Sequence, residues 1–529
     1  MKNPFNIRQK MTMQLCRVLF VITSFAIMGI VPTCSIVKAA EAIEVDLLKL
    51  RASLLSVKFP GKTFIVEMVN PWGPLSPATL SLAVTEKSIS IELPQGGYDH
   101  AAFVVTNLSK DSQEIFIQPD DLPPNAPDLT FFQVPFVKSA TAGYIADPLV
   151  PIKNKFTLRS GESKMVFLTA HGLHPGRWEN TLKVGTSAYS NSLPLSLQVS
   201  KVILPQQLAL NTVNWGYLDF KPIRDRKTEA ANDLLRHHIN AIVIPPKYMP
   251  TADQPSAEKL MQLDEYLKLH LGAKKVLFFL NFNDESLLTA NRKYPFMSDK
   301  WKQWFKNLHA RVVTSAVQAG FQKDNVYLYP YDEIKETDLT RFIELASWAR
   351  KEIAGIKLYA TLERKESLSA LPYLDIAQVI NHKDMYAAAI GSKKEIWLYG
   401  VLANSKSLSP YTYYRLMAWR AFSLGFMGAG FWNYADTGSG KYESSAWDDF
   451  DGKRPDFSVI YEGEGNTIVS SRRWEAWRMG AEDYELLSMY AKVKGDQVAR
   501  NLAELVANNP KKIGMADEVR HKIMRELSL

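Results

Sequence analysis

KVLFFLN at 275–281 and VYLYPY at 326–331, with the helix-periodic stretch Trp301–Ala319 between them, decide the fold. Each apolar run is too short for a helix and reads as a strand covered on both faces. A long helical crossover between two such strands calls for parallel pairing. The same alternation extends in both directions. Upstream lie Ala209–Trp215 and Ala241–Ile244 (AIVI), and downstream Ile356–Leu362 (IKLYATL), Ile376–Asn381, Glu395–Gly400 and Gly428–Tyr434. Helical segments fall between them at Thr228–His238, Ala257–Leu271 with Ser256 placed to cap it, Leu339–Ile353, a short one from Leu368, a less regular one after Asn381, Tyr411–Leu424 and Ser471–Tyr490. Eight strands and eight helical segments have the rhythm and size of a (β/α)8 TIM-type barrel, here residues 206–490. Residues 491–529 continue as a C-terminal helical extension.

Upstream of Pro205 the pattern is different. Ser88–Leu93, Ala102–Thr106, Glu114–Gln118, Thr130–Val137 and Lys164–Thr169 are short strands separated by Gly and Pro turns. They predict an antiparallel β-sandwich over residues 40–205, so the fold class is α/β plus all-β.

Residues 1–39 read as a signal peptide. The first 17 residues are basic, Val18–Val31 is an apolar run of 14, Pro32 breaks it, and Val37 and Ala39 offer a cleavage site. A spanning helix needs about 20 apolar residues, so export is expected over a stable membrane span. Thr33 before Cys34 is a poor lipoprotein signal. The expected address is the periplasm, the cell surface or the medium. The formal net charge of +8 includes five cations among residues 1–40 and no acid there, so +3 remains for the rest. A charge that small over so long a chain argues against nucleic acid as a partner. Cys16 and Cys34 are the only cysteines and both precede the cleavage point. Disulfides, cysteine nucleophiles and cysteine zinc sites are therefore not expected in the mature chain.

A parallel barrel puts its chemistry at the carboxyl ends of its strands. Those ends carry Trp215 and Tyr217, then Asn281, Asn283, Asp284 and Glu285, then Tyr331, Asp332 and Glu333, then Glu363, Asn381 and His382, Trp397 and Tyr399, and finally Trp432, Asn433, Tyr434 and Asp436. No Gly-rich phosphate loop follows a strand and no metal-ligand spacing occurs, so neither a metal nor a cofactor is expected. His237-His238 ends a helix and reads as packing. Asp448, Asp449 and Asp451 read as a solvated acidic loop rather than a calcium site. Carboxylates beside aromatic platforms suit glycoside cleavage, with a glycan or polysaccharide as substrate. The 12 Trp, 22 Tyr and 25 Phe fit a protein that stacks sugar rings, though most aromatics serve cores.

Adjacent acids such as Asp332 and Glu333 point to opposite faces of a strand. They can share one cavity only where the chain bends. Two neighbours are poorly placed to flank one glycosidic bond from opposite sides. They suit the substrate-assisted variant, in which a 2-acetamido group attacks its own anomeric carbon while one carboxylate orients it and the other protonates the leaving group. On the plainer reading, the pair is the N-terminal cap region of the next helix.

Four stretches resemble glycoside hydrolase family 123, the β-N-acetylgalactosaminidase type. They are Gly97–Asn107 (GYDHAAFVVTN), Ala146–Pro151 (ADPLVP) with Pro175–Trp178 (PGRW), Val326–Glu333 (VYLYPYDE) and Ser470–Leu487 (SSRRWEAWRMGAEDYELL). The resemblance implies a (β/α)8 catalytic domain, retention through an oxazoline-type intermediate and no cofactor. Glu333 would be the general acid/base and Asp332 would orient the acetamido group. Ile334 stands where that pattern usually has proline.

Trp397, Tyr399, Trp432 and Tyr434 either fill the core or line the pocket, and are substrate-binding candidates together with Asn281 and His382. Arg478 and Glu482, four apart on a helix, are expected to pair with each other; with Asp483 they read as structural. Two other functions stay open. One is a glycosidase for sugars without an acetamido group, with Glu363 as its nucleophile. The other is a non-catalytic glycan-binding surface protein. Linkage, exo or endo action, oligomeric state and the role of the sandwich are not legible.

Overall fold

The computed structural model describes residues 48–75, 88–153, 155–402, 405–438 and 444–529. The leader assigned to residues 1–39 lies outside them. Among the described residues no helix is long and apolar enough to cross a membrane.

The chain is mixed α/β. Its N-terminal part builds two sheets. One orders Phe64–Val69, Tyr98–Asn107, Ser163–His171, Asp128–Val134 and Pro148–Pro151 side by side. The other orders Ile89–Gln95, Ser190–Ile203, Gly176–Gly185, Gln113–Pro119 and Lys155–Leu158. Among the described residues the expected antiparallel pattern has one exception, since Ile89–Gln95 pairs parallel with Ser190–Ile203. Side-chain alternation explains why Tyr98–Asn107 is covered on both faces. Phe103 and Val105 join a core shared with Ile91, Leu182 and Leu195 of the second sheet. Ala102 and Val104 point the other way, into the large core that continues through the C-terminal part.

In that part eight strands run parallel in two sheets: Asn211–Val213, Ala241–Ile244, Lys275–Phe279, Val326–Tyr329, Tyr359–Leu362, Ile376–Ile380, Glu395–Gly400 and Gly428–Phe431. The second, third and fourth strands form one sheet, and the other five form the second. An isolated parallel bridge between Leu328 and Leu358 joins fourth to fifth. The first and second are tied by Asn240, whose Oδ1 accepts from the Thr212 N–H at 2.9 Å. Alternation again sorts the side chains. Val213, Val243, Leu277, Tyr329, Tyr359, Ile376 and Trp397 share one inner cluster. Ile242, Phe278, Leu328, Ala360, Val379 and Leu398 face outward toward the helices. The expected helices are present, and Ser256 caps Ala257–Leu269 by accepting from the Lys259 N–H.

The two parts are locked together. Tyr461–Glu462 and Ile468–Ser471 extend the first N-terminal sheet, with Ser470 opposite Leu149. The helix Arg472–Lys494 is buried through most of its length although it carries many charges. Most of its buried charges have partners distant in sequence. Arg473 pairs with Asp147 at 2.8 Å, and Arg472 donates to the Ala146 carbonyl at 2.8 Å. Glu482 accepts from the Tyr98 N–H at 3.1 Å and from Arg520 at 2.8 Å. Asp483 accepts from Arg415, Trp419 and Arg520. Arg478 pairs with Glu475 rather than with Glu482. Burial alone would push the Glu482 carboxyl up, but His238 and Arg520 beside it bring it down to about 2. The extension beyond residue 490 thus contributes to the interior, where the buried Arg520 guanidinium closes this cluster.

Candidate active site

The fourth parallel strand ends at Tyr329, and Pro330 follows without an N–H to continue the ladder. Tyr331 turns outward and packs edge-on against Phe282 and Phe342. The next helix begins only at Glu336, its N-cap is Lys335, and no side chain caps it. The two acids are therefore not its cap. Glu333 adopts φ 45°, a left-handed backbone that a side chain with a Cβ pays about 1–2 kcal/mol to hold. That bend lets neighbouring side chains escape the alternation of a straight strand. Trp215 (φ 44°) and Asn281 (φ 52°) bend in the same way at the ends of the first and third strands.

One hydroxyl organises the pair. Thr361, on the fifth strand, accepts from the Glu333 N–H at 2.6 Å and donates to Asp332 Oδ1 at 2.6 Å. Tyr329 also donates to Asp332 Oδ1. From the third strand's loop, Asn283 Oδ1 accepts from the Asp332 N–H at 2.9 Å. The seventh strand supplies Tyr399, whose hydroxyl donates to Glu333 Oε1 at 3.0 Å. Burial, followed by the like charges of Asp332 and Glu363, pushes the Glu333 carboxyl up to about 7, against the opposing pull of the Tyr399 hydrogen bond. A carboxyl that stays protonated near neutrality is what a general acid needs.

Aromatic rings continue from Tyr399. Its ring is 6.0 Å from Trp215, which is 6.2 Å from Trp432, which meets Tyr217 edge-on at 6.0 Å. Asp436 accepts from the Trp432 indole N–H at 2.8 Å and from Arg454 at 2.6 Å, fixing the plane of that ring.

Of the residues singled out in the sequence, the structure brings together Asp332, Glu333, Tyr399 and Trp432. Trp397 and Tyr434 do not line the mouth. The Trp397 indole is fully buried and bonds Glu395 at the start of its own strand, so it fills the interior below the site. Tyr434 faces the surrounding helices, where its hydroxyl donates to Asp233 at 2.8 Å and its ring packs on Trp474. Asn281 shapes the loop through its backbone, whose carbonyl accepts from the Asp284 N–H, while Asn283 makes the contact to the acids. His382 is exposed at the start of the helix Lys383–Ala389. His237 is packed as expected, stacked on Trp474 at 4.4 Å. The loop at 448–451 is not wholly solvated: Asp449 is buried and lies 3.6 Å from Lys406. Among the described residues no group of three His, Cys, Asp or Glu could hold a metal ion.

The residues not picked out are Thr361 and Tyr329. Both sit inside apolar runs whose strand signal hides them. Their only marker is a hydroxyl on the inward-facing register, one strand from the acids or three residues before them.

No family model matches the chain, and no curated protein matches it. Solved structures do. A family 123 glycoside hydrolase from Clostridium perfringens, described for glycolipid glycan hydrolysis, is 12% identical with a TM-score of 0.63; the match covers 88% of this chain and 98% of that one. A family 39 glycoside hydrolase from Bacteroides cellulosilyticus WH2 is 10% identical over 80% of this chain and 83% of that one, with a TM-score of 0.39. The first likeness shows that the two chains share a fold across both parts.

Proposed function

We propose that this chain is a retaining glycoside hydrolase that cleaves 2-acetamido-sugar glycosides, of the β-N-acetylgalactosaminidase type, by substrate-assisted catalysis. The observation that carries the reading is the shared Thr361 hydroxyl, which binds the side chain of Asp332 and the backbone of Glu333 at once. It supports two adjacent acids acting as a unit on one sugar. Glu333 protonates the glycosidic oxygen as the bond to the anomeric carbon breaks. The substrate's acetamido oxygen forms the new bond to that carbon, and Asp332 orients and stabilises the amide. Glu333, now a carboxylate, then takes a proton from the water that opens the oxazoline. Trp432 and Tyr217, both partly exposed, offer ring faces for the sugar.

The fold shared with a family 123 enzyme is consistent with this reading, as is the resemblance of the stretch ending in Asp332-Glu333. The same proposal takes the eight parallel strands as a closed (β/α)8 barrel at 206–490, the N-terminal sheets as a sandwich at 40–205, and the chain as exported behind a signal peptide at 1–39.

The test is a panel of chromogenic β-GalNAc, β-GlcNAc, β-Gal and β-Glc substrates with wild type, Glu333→Gln and Asp332→Asn. Turnover confined to the acetamido sugars and lost in both variants is expected, with tight inhibition by a thiazoline that mimics the oxazoline. Equal turnover in wild type and both variants overturns the proposal.

A further inference from the structure

We propose that Asp338 is a positioning residue for the catalytic pair: it holds the Asn283 amide in one orientation, which presents that side chain's carbonyl to the Asp332 N–H and fixes the bend that aims both acids. The inference rests on the glycosidase reading above and goes beyond it by extending the machinery to a carboxylate on the following helix.

The third and fourth strands stay paired past their ends. The Leu280 N–H donates to the Tyr329 carbonyl at 2.8 Å, and the Phe282 N–H to the Pro330 carbonyl at 2.7 Å. At the next residue a side chain takes over the pairing. Asn283 Oδ1 accepts from the Asp332 N–H at 2.9 Å. Its Nδ2 donates to Asp338 Oδ2 at 3.1 Å. Asp338 stands in the first turn of the helix Glu336–Glu352, where the positive end of the helix dipole favours an acid. Asn283 and Asp338 are both half-buried.

The chemistry of these two neighbours admits one orientation of the amide. A peptide N–H can only donate, and a carboxylate can only accept. Asn283 bridges them with its oxygen toward Asp332 and its NH2 toward Asp338. Turned over, the amide would set donor against donor and oxygen against oxygen. Without Asp338 half of that penalty is gone, and the Asp332 N–H can lose its acceptor. That N–H lies in the planar peptide joining Tyr331 to Asp332, whose tilt sets the direction in which Asp332 leaves the chain. Thr361 and Tyr329 grip the same residue at its carboxylate. Asp332 is thus held at both ends, and Glu333 follows it directly with its own N–H on Thr361.

The experiment is a double-mutant cycle on kcat and KM for an aryl 2-acetamido-glycoside, with Asp338→Ala, Asn283→Ala and the two combined. Asp338→Ala should lower kcat about tenfold with KM little changed. Asp338→Asn, which keeps an acceptor oxygen, should restore most of the loss. In the Asn283→Ala background the change at 338 should cost nothing further, because the two residues act through one contact. An equal loss in both backgrounds shows that Asp338 serves only its helix and overturns the proposal, as does wild-type kcat in Asp338→Ala. The second measurement needs no turnover. In protein labelled with 15N-aspartate, the Asp332 amide resonance, identified by its loss in Asp332→Asn, should move upfield in Asn283→Ala and in Asp338→Ala as its hydrogen bond is released. If it moves in a protein that cleaves none of the glycosides, the brace stands and the assigned reaction fails. If glycosides are cleaved and the resonance stays in place in Asp338→Ala, the reaction stands and the brace fails. Thermal unfolding checks that the variants are folded, and Asp338→Ser, too short to reach Asn283, carries the same test should Asp338→Ala not fold.

Discussion

Thr361 Oγ1 lies 2.6 Å from Asp332 Oδ1 and donates to it, a bond between the fifth strand and the loop after the fourth. The same oxygen accepts from the Glu333 N–H. Thr361→Val keeps the shape and removes both bonds. A buried N–H and a carboxylate oxygen then lose a partner, at about 1–3 kcal/mol of stability. Because the loop is what aims both acids, kcat should fall by about a hundredfold, while Thr361→Ser should restore most of it. Steady-state kinetics and urea unfolding of the two variants check this; equal kcat in Thr361→Val and wild type overturns it.

Tyr399 and Glu363 act on Glu333 with opposite sign. The Tyr399 hydroxyl donates to Glu333 and favours its charged form, while the Glu363 charge disfavours it. Tyr399→Phe should therefore move the alkaline limb of the rate profile upward, and Glu363→Gln should move it downward. The profile reports the acids as a coupled group, so the direction of displacement is the readout. A downward shift in Tyr399→Phe contradicts the assignment of the donor.

Much of this arrangement was legible in the sequence, and the omissions have physical reasons. Apolar runs such as AIVI at 241–244 mark the parallel strands because both faces are covered. Asp332 and Glu333 stand out because acids at the end of such a run have no packing role. Thr361 is hidden because a hydroxyl costs a strand pattern nothing. Trp397 and Tyr434 mislead because a strand's register, not its composition, decides which way an aromatic faces. At Trp397 the neighbouring strand supplies Gly428, whose missing Cβ leaves room for the indole, so the ring is packed into the interior. Arg478 has acids at both i−3 and i+4, and tertiary packing commits the second of them, Glu482, to Arg520 and Tyr98.

Glu333 also ties stability to pH. Its folded value is raised to about 7 from an ordinary 4.5. The stability this confers is present in full below the ordinary value and is lost as pH rises through about 7. Glu333→Gln, which cannot charge, should be the more stable protein at pH 8 by about 1–3 kcal/mol, with the difference gone near pH 4. Guanidinium unfolding at the two pH values measures it. A difference that grows toward low pH has the wrong sign for a raised carboxyl.

The last helix makes a sharper demand on the C-terminus. Arg520 is buried and binds Glu482 and Asp483 at 2.8 and 2.7 Å, while Asp483 is also held by Arg415. Arg520→Met leaves two interior carboxylates short of a cation and should cost about 3–5 kcal/mol, since removing one partner strands the other charge. Arg525 is five residues further along the same helix, 61% exposed and 3.3 Å from Glu92. Arg525→Ala should cost no more than about 1 kcal/mol, as surface pairs do. Glu482 and Asp483 lie on the helix that also receives Tyr98 and, through Arg473, Asp147, so the loss spreads to both N-terminal contacts. Truncation after Asn509 removes the helix Met515–Leu527 and should yield a chain that fails to fold. Urea midpoints for the two point variants, with near-ultraviolet circular dichroism of the truncated chain, decide the matter. Equal costs at Arg520 and Arg525 would show that the buried cluster does not carry the join between the two parts.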